Sequence, residues 1–342
     1  MSVNAADLRG QPVDGLIHEE AMDKIWDISR IPLPLTDRIG KGTVGNARFS
    51  WTQDELQAPV IDGQVVDGSD TNAIDDTSLG DRVNNFTEID VRVVKVSTRA
   101  QDSNTIGFSD TLEYQVMMRQ RELRRSNEAC MLSNNASQAD DGNTVPGVTG
   151  GLDAWLVTNT SNGATGLNGG FNTTTAIVDA YTPGTPRPLN ESIFKDLLQS
   201  VYEQGGEVSA MMARPAVVRK FSEYQFTDGA RVATLQRETG SSDSPASSLG
   251  AVNVYISDWG TLQIVSNRLQ QPIATDVSTM FILDYSLLSQ VFLTGYMVQP
   301  LQKAGLSDTR QMISDWGLRV GTEKGLGAFR DIDETADMIA GP

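Results

Sequence analysis

The stretch DTLEYQVMMRQRELRRSNEACML, residues 110–132, sets the reading of everything around it. It contains neither proline nor glycine. Leu112, Val116, Leu123 and Cys130 recur at spacings of four, seven and seven, which makes one narrow apolar stripe on a helix. Ser109 stands where an N-cap is expected, and Glu113 falls in the first turn, where the helix dipole favours negative charge. Glu128 is in register with Arg124 and Arg125 for pairing along the helix. About 23 residues at 1.5 Å each predict a rod of roughly 35 Å, packed lengthwise against a sheet or another subunit.

On the N-terminal side of this rod the pattern changes to strand. Asn46–Trp51 alternates, and Glu88–Ser97 alternates again, with Ile89, Val91 and Val93 on one face and Val94 and Val96 on the other. That switch of phase predicts a bulge or a change of partner. Between the two runs lies an acidic, turn-rich stretch, 62–81, with Asp62, Asp67, Asp70, Asp75, Asp76 and Asp81. Two strands around a polar tip predict an extended hairpin. Residues 1–45 read as an arm. Leu16, Ile17, Ala21, Ile25 and Ile28 share a helical face, and Ile31-Pro32-Leu33-Pro34-Leu35 then forces an extended path with apolar side chains that need a neighbouring surface.

On the C-terminal side the elements alternate irregularly. Residues 158–175, low in charge and rich in Asn, Gly and Thr, predict a surface loop that continues to 188. A helix opens at Asn190, its cap, and stops at Gly205-Gly206. A strand over Val208–Met212 and a helix over Pro215–Tyr224 follow, with proline near N1. Val252, Val254 and Ile256 alternate before a turn at 257–260, and Leu262, Ile264 and Val265 come after it. Phe281–Asp284 and Val291–Leu293 read as core strands. Met312, Ser314, Trp316, Leu318 and Val320 share one strand face. The class is α+β, without βαβ alternation or an internal repeat.

Bulk properties narrow the function. With 342 residues the chain needs no staples to bury a core. Its 44 acidic against 27 basic residues give a net charge of −17, which repels nucleic acid over most of the surface and suits a container that must not trap DNA and many cytosolic proteins equally well. A single cysteine, Cys130, allows no intrachain disulfide and fits a reducing compartment. No run is apolar enough to span a membrane, and the first residues lack a secretory h-region.

The candidates for chemistry are thin. His18 is the one histidine, in the arm beside Glu19 and Glu20, and HEEAM is not a zinc motif. Cys130 reads as a small buried hydrophobe. Ile39-Gly40-Lys41-Gly42 lacks the spacing of a phosphate loop and reads as a tight turn. Asp75-Asp76 and Asp140-Asp141 do not match a calcium loop and read as solvated turns. Arg119, Arg121, Arg124 and Arg125 form the one basic cluster, a candidate DNA contact or a set of ion pairs with Glu122, Glu128 or a neighbouring subunit. The reading assigns no catalytic, cofactor-binding or metal-binding residue.

Taken in order, several motifs resemble the major head proteins of tailed bacteriophages, in their podovirus-type branch. Glu19-Glu20 to Ile28-Ser29, Pro34-Leu35 and Ile39–Gly42 leading to Trp51 resemble that branch's arm. Tyr114-Gln115, Arg121-Glu122-Leu123 and Glu128 resemble its spine helix, and Gly151-Leu152 with Trp155 the segment after it. Pro300–Asp308, Trp316-Gly317-Leu318 and Glu323-Lys324 resemble its closing strand. The likeness covers residues 15 to 335. It implies the α+β Johnson capsid fold: an N-terminal arm at 1–45, an extended loop at 46–97, a peripheral domain of 98–190 with 295–342, and an axial domain at 191–294. It implies a shell subunit that associates with itself as hexamers and pentamers around double-stranded DNA. Expected partners are scaffold, portal and decoration proteins, with DNA touched at most non-specifically. The expected location is the virion, after assembly in the host cytoplasm. An encapsulin-like compartment shell is the alternative, and a glycosidase-like enzyme with two facing carboxylates is a more distant rival.

Overall fold

The structure is a computed structural model that describes residues 32–56, 80–103, 110–227, 252–303 and 305–340, with a few single residues between 57 and 79. The amphipathic segment 16–28, His18 and Asp75-Asp76 lie outside the described residues. The long helix runs over Thr111–Met131. Its cap is Asp110 rather than Ser109: the Asp110 carboxylate accepts from the backbone N–H groups of Leu112 (2.8 Å) and Glu113 (3.1 Å). A carboxylate serves better than a hydroxyl there, because it also answers the helix dipole.

The chain divides into two compact units. The smaller contains Val91–Glu122 and Val298–Met312 and is held by Val94, Val96, Leu112 and Met312, with Ala100 and Val116 against them. The larger contains Leu33–Asp90, Leu123–Met297 and Ile313–Pro342.

A four-stranded sheet has the order Gly40–Thr43, Leu288–Pro300, Ser307–Val320, Glu88–Ser97. The Gly40–Thr43 segment is therefore a strand, parallel to Ser289–Phe292, and not the tight turn expected from its glycines. The hairpin also differs from expectation. Arg48–Gln53 pairs antiparallel with Asp81–Phe86, and Glu88–Ser97 belongs to the four-stranded sheet instead. The return strand DRVNNF was obscured by Asn84 and Asn85, poor strand formers that are buried here through hydrogen bonds. In Glu88–Ser97 the buried Val94 and Val96 share the even-numbered side, while Ile89, Val91 and Val93 are exposed on the other.

A six-stranded sheet follows the order Thr160–Ser161, Gly327–Asp333, Val277–Leu283, Ala210–Ala213, Gly260–Ser266, Val254–Ser257. Helices Glu191–Glu203 and Pro215–Thr227 cover one face through Phe194, Leu197, Val217 and Phe221, which meet Met211, Ala213, Met280 and Ile282. The alternate residues Ala210, Met212, Phe281 and Leu283 enter the main core with Trp155 and Trp316. Burial on both faces explains why AMMA and VSTMFIL read as unbroken apolar runs. Asn190 caps the first helix as expected, accepting from the N–H of Ser192 (2.9 Å) and Ile193 (3.3 Å). Gly205 ends it at φ +86°, a conformation glycine adopts without strain. Gly327–Asp333 pairs with Val277–Leu283, so hydrogen bonding groups this strand with 191–294 rather than with the rest of 295–342.

Candidate functional site

The structure's distinctive polar chemistry lies in side chains that hold segments of the chain in fixed directions. Three buried polar clasps do the holding in the larger unit. In the first, the Glu128 carboxylate accepts from the backbone N–H of Leu35 (2.8 Å) and Thr36 (2.8 Å), from the Thr36 hydroxyl, and from Asn267 Nδ2 (2.8 Å). Glu128 is 0% exposed, so it pairs with neither Arg124 nor Arg125 as the helical register suggested. Its donors turn Leu33–Ile39 into a compact turn, with Leu35 and Ile39 in the main core of the same chain. The expectation that Leu33 and Leu35 need a neighbouring surface is thereby corrected. The prolines break the helix, but a buried carboxylate supplies the partners that an extended path would have left to water.

The second clasp is Asn85. Its Nδ2 donates to the Leu318 carbonyl (2.8 Å) and Thr149 Oγ1 (3.2 Å), and its Oδ1 accepts from the N–H of Gly150 (2.9 Å). This ties the hairpin stem to the closing strand. An aromatic row reinforces it: Phe49 to Trp51 at 5.8 Å, Trp51 to Trp155 at 5.4 Å, and Trp155 to Phe171 at 6.0 Å.

The third clasp centres on Arg330 and Asp153, 0% and 2% exposed. Arg330 Nε donates to Asp153 Oδ1 (2.7 Å), and Nη2 donates to the carbonyls of Asp153 and Leu156 (2.9 Å for the latter). Nη1 reaches Asn168 Oδ1 (3.1 Å), and the guanidinium lies over the Tyr181 ring at 4.1 Å. Thr279 donates to the other Asp153 oxygen at 2.9 Å. The backbone makes this possible with a bulge. Arg330 and Asp331 occupy the space that Thr279 alone fills on the partner strand, and Asp331 takes φ +57°. Asp331 then accepts from the N–H of Gly163 at 2.8 Å.

The Asn/Gly/Thr-rich segment 158–188 is consequently more than a surface loop. Asn159 donates to the carbonyls of Lys324 (2.6 Å) and Leu326 (3.2 Å) and accepts from Ser200 Oγ (2.6 Å). Gly170–Asn172 and Ile177–Asp179 form a hairpin that buries Val178 and stacks Phe171 on Trp155. Side-chain amides replace apolar side chains as the fixings, which composition alone does not reveal.

A fourth polar cluster carries charge. Glu88 Oε2 lies 3.5 Å from Cys130 Sγ and accepts from the N–H of Thr149 at 3.3 Å. Burial, with the Asp90 charge second, raises the Glu88 carboxyl above its ordinary value. Burial and then the Glu88 charge raise the Cys130 thiol, so Cys130 is a poor nucleophile here.

The remaining sequence candidates fall as follows. Arg119 pairs with Glu122 at 2.5 Å, Arg121 Nη2 approaches Met117 Sδ at 3.8 Å, and Arg124 lies over the Tyr296 ring at 5.2 Å. Arg125 is half-buried on the same helix. Asp141 Oδ1 accepts from the N–H of Asn143, Thr144 and Val145, each at 2.8 Å. These bonds, those of Val145 and Asn143 foremost, lower its carboxyl to about 2, the solvated turn the sequence suggested. Among the described residues no group of three or more His, Cys, Asp or Glu could hold a metal ion. No described helix is long and apolar enough to cross a membrane. Large apolar side chains are exposed on the hairpin loop (Leu56, Ile61, Val66), on the strand Glu88–Ser97 and on the edge strand Val254–Ser257.

This architecture is shared with solved capsid and encapsulin subunits. The capsid of an empty GTA particle superposes with a TM-score of 0.58 at 14% identity, over 96% of this chain and 99% of that one. The SrpI encapsulin of Synechococcus elongatus PCC 7942 superposes at 0.51 and 10% identity, over 92% and 94%. The class is thus the tailed-phage capsid fold. In sequence, the SU10 major capsid protein family matches residues 4–333, and the chain belongs to that family. The major capsid protein of Escherichia phage Phieco32 is 27% identical over 228 residues, 58% of this chain. The chain covers 64% of that relative, less than two thirds of its length.

Proposed function

We propose that the chain is a structural shell subunit, not an enzyme, and that copies of it assemble into the icosahedral head that encloses a tailed phage's double-stranded DNA. The observation that carries this reading is the family match over residues 4–333. Such a shell repeats one heterologous contact under symmetry, and each contact stays individually weak because several neighbours hold every subunit. In this reading 1–45 is the arm and 46–97 the extended loop. The peripheral domain is 98–190 with 295–342, and the axial domain is 191–294. The arm and loop cross to neighbours, and their interfaces shift as rigid bodies when DNA fills the head. Scaffold, portal and decoration proteins are the further partners, DNA is touched at most non-specifically, and the mature location is the virion.

The test is negative-stain electron microscopy after light scattering, on the chain alone and with co-expressed scaffold. Closed particles tens of nanometres across are expected, in keeping with the size of shells built from many such subunits. A monodisperse monomer under both conditions overturns the reading. The encapsulin alternative draws on fold similarity alone; nuclease-protected DNA inside particles purified from infected cells decides against it, and packaged enzyme cargo in its favour.

A further inference from the structure

We propose that Asn168 is a site of self-modification: the backbone nitrogen of Gly169 attacks its side-chain amide, and the residue passes through a cyclic imide to an acid. An Asn-Gly pair permits this reaction because glycine carries no Cβ to shield the attacking nitrogen. The chain has two such pairs, Asn162-Gly163 and Asn168-Gly169. The fold treats them in opposite ways.

At Asn168 the side-chain oxygen accepts from Arg330 Nη1 (3.1 Å) and Asn162 Nδ2 (2.6 Å). Thr160 Oγ1 stands 3.0 Å away as a third donor, its one proton shared with the Val157 carbonyl at 2.9 Å. Asn168 Nδ2 itself donates to that carbonyl at 3.1 Å, which fixes which end of the amide is oxygen. When a nitrogen adds to the amide carbon, the carbon becomes tetrahedral and this oxygen takes up negative charge. Donors already in place, one of them a guanidinium, hold the charged oxygen more strongly than the neutral one, and the barrier falls. The attacking group is free as well: the Gly169 N–H donates to no described residue. Asn168 is exposed and Gly169 half-buried, so water reaches the pair.

At Asn162 each of these conditions fails. Gly163 is buried, and its N–H donates to Asp331 Oδ2 at 2.8 Å. A carboxylate at that distance disfavours the amide anion that must attack. The Asn162 oxygen has only a long contact with Arg330 Nη1, 3.4 Å.

The chemistry balances without any co-reactant but water. A bond forms between the Gly169 nitrogen and Asn168 Cγ, and the Cγ–Nδ2 bond breaks. The proton given up by the glycine nitrogen ends on the departing ammonia. Water then opens the imide at either carbonyl, leaving aspartate or isoaspartate. Either product sets a carboxylate beside Arg330, where a neutral amide stood in the clasp with Asp153. The reaction belongs to the single chain and does not depend on assembly.

The test uses the full chain, incubated in mildly alkaline buffer with and without urea, then digested and sequenced by fragment-ion mass spectrometry. In the native chain Asn168 should convert about tenfold faster than Asn162, a barrier difference of about 1.4 kcal/mol. In urea the two rates should agree within about twofold, because neither pair keeps its neighbours. Asn162→Ala removes the 2.6 Å donor and should slow native conversion of Asn168 about tenfold, with an unchanged circular dichroism spectrum as the control for folding. Equal native rates at the two pairs would overturn the proposal, as would an Asn168 that reacts in urea and stays intact when folded. An N162A chain that folds and converts Asn168 as fast as the unsubstituted one would overturn the role of the donors, and the proposal with it.

Discussion

Replacing Glu128 probes the clasp that fixes the Leu33–Ile39 turn. In Glu128→Ala four donors lose their acceptor: the N–H of Leu35, the N–H and hydroxyl of Thr36, and Asn267 Nδ2. The hydroxyl can rotate, and Asn267 already has Met212 Sδ at 3.6 Å. The two backbone N–H groups cannot turn away, and each buried donor left unsatisfied costs about 1–3 kcal/mol. Water entering the space offsets part of this, so a net loss of about 3 kcal/mol is expected. Glu128→Gln keeps the volume. Its single oxygen serves one N–H and its amide faces the other, but Thr36 Oγ1 can turn from donor to acceptor, and the loss falls to about 1.5 kcal/mol. That switch makes a sharper claim: Thr36→Val should cost about 1 kcal/mol more in the Glu128→Gln background than in the wild type. Urea unfolding of the unassembled chain, followed by tryptophan fluorescence, measures all four. A loss under about 0.5 kcal/mol for E128A, or E128Q costing more than E128A, would refute the clasp as drawn.

Three further outcomes are expected. Arg330→Met strands Asp153 without its charge partner and should cost about 3–5 kcal/mol; Asp153→Asn added to it should recover part of that loss, and simple additivity in thermal melts would count against the pair. Gly151→Ala would set a Cβ 2.1 Å from the Ser133 carbonyl oxygen, and the main chain must move, at a cost of about 3 kcal/mol by denaturant titration. Glu88 has a raised carboxyl pKa, so the folded state binds its proton more tightly than the unfolded one. Its contribution to stability therefore grows as pH falls through the raised value toward the ordinary 4.5, and is lost as pH rises. Glu88→Gln should flatten that part of the stability–pH curve, and an unchanged curve would show that Glu88 does not titrate in this window.

The elements legible in the sequence were those whose burial is apolar and periodic. Leu112 and Leu123 announced the long helix, Asn190 and Gly205 bracketed the helix between them, and Met312, Trp316, Leu318 and Val320 marked the closing strand. What was missed is held by polar side chains. Asn84 and Asn85 made a buried strand look like loop, and Asn159, Asn162 and Asn168 made a packed segment look like surface. Hydrogen bonds to distant residues leave no periodic trace, because Asn85 and Leu318 are 233 positions apart. Glu128 did leave a signal, since it lies on the buried side of the helix within one turn of Leu132, but a charged residue next to two arginines reads first as a surface pair. The exposed apolar side chains were visible as residues, yet not as exposed, because alternation says which residues share a face and not which face is covered.

The polar clasps and the exposed apolar groups answer a single constraint. On the proposed reading a subunit that meets several neighbours cannot bury all its apolar side chains within itself, and Leu56, Ile61 and Val66 are exposed on a segment, 54–81, whose only charges are negative. Directing such a segment requires a rigid stem. Directional hydrogen bonds at Asn85, Glu128 and Arg330 fix orientation more tightly than apolar packing alone, which tolerates sliding. Buried polar groups add little net stability. Their use here is to fix the direction of the hairpin stem, the Leu33–Ile39 turn and the segment after the long helix, each through bonds that hold only at one geometry.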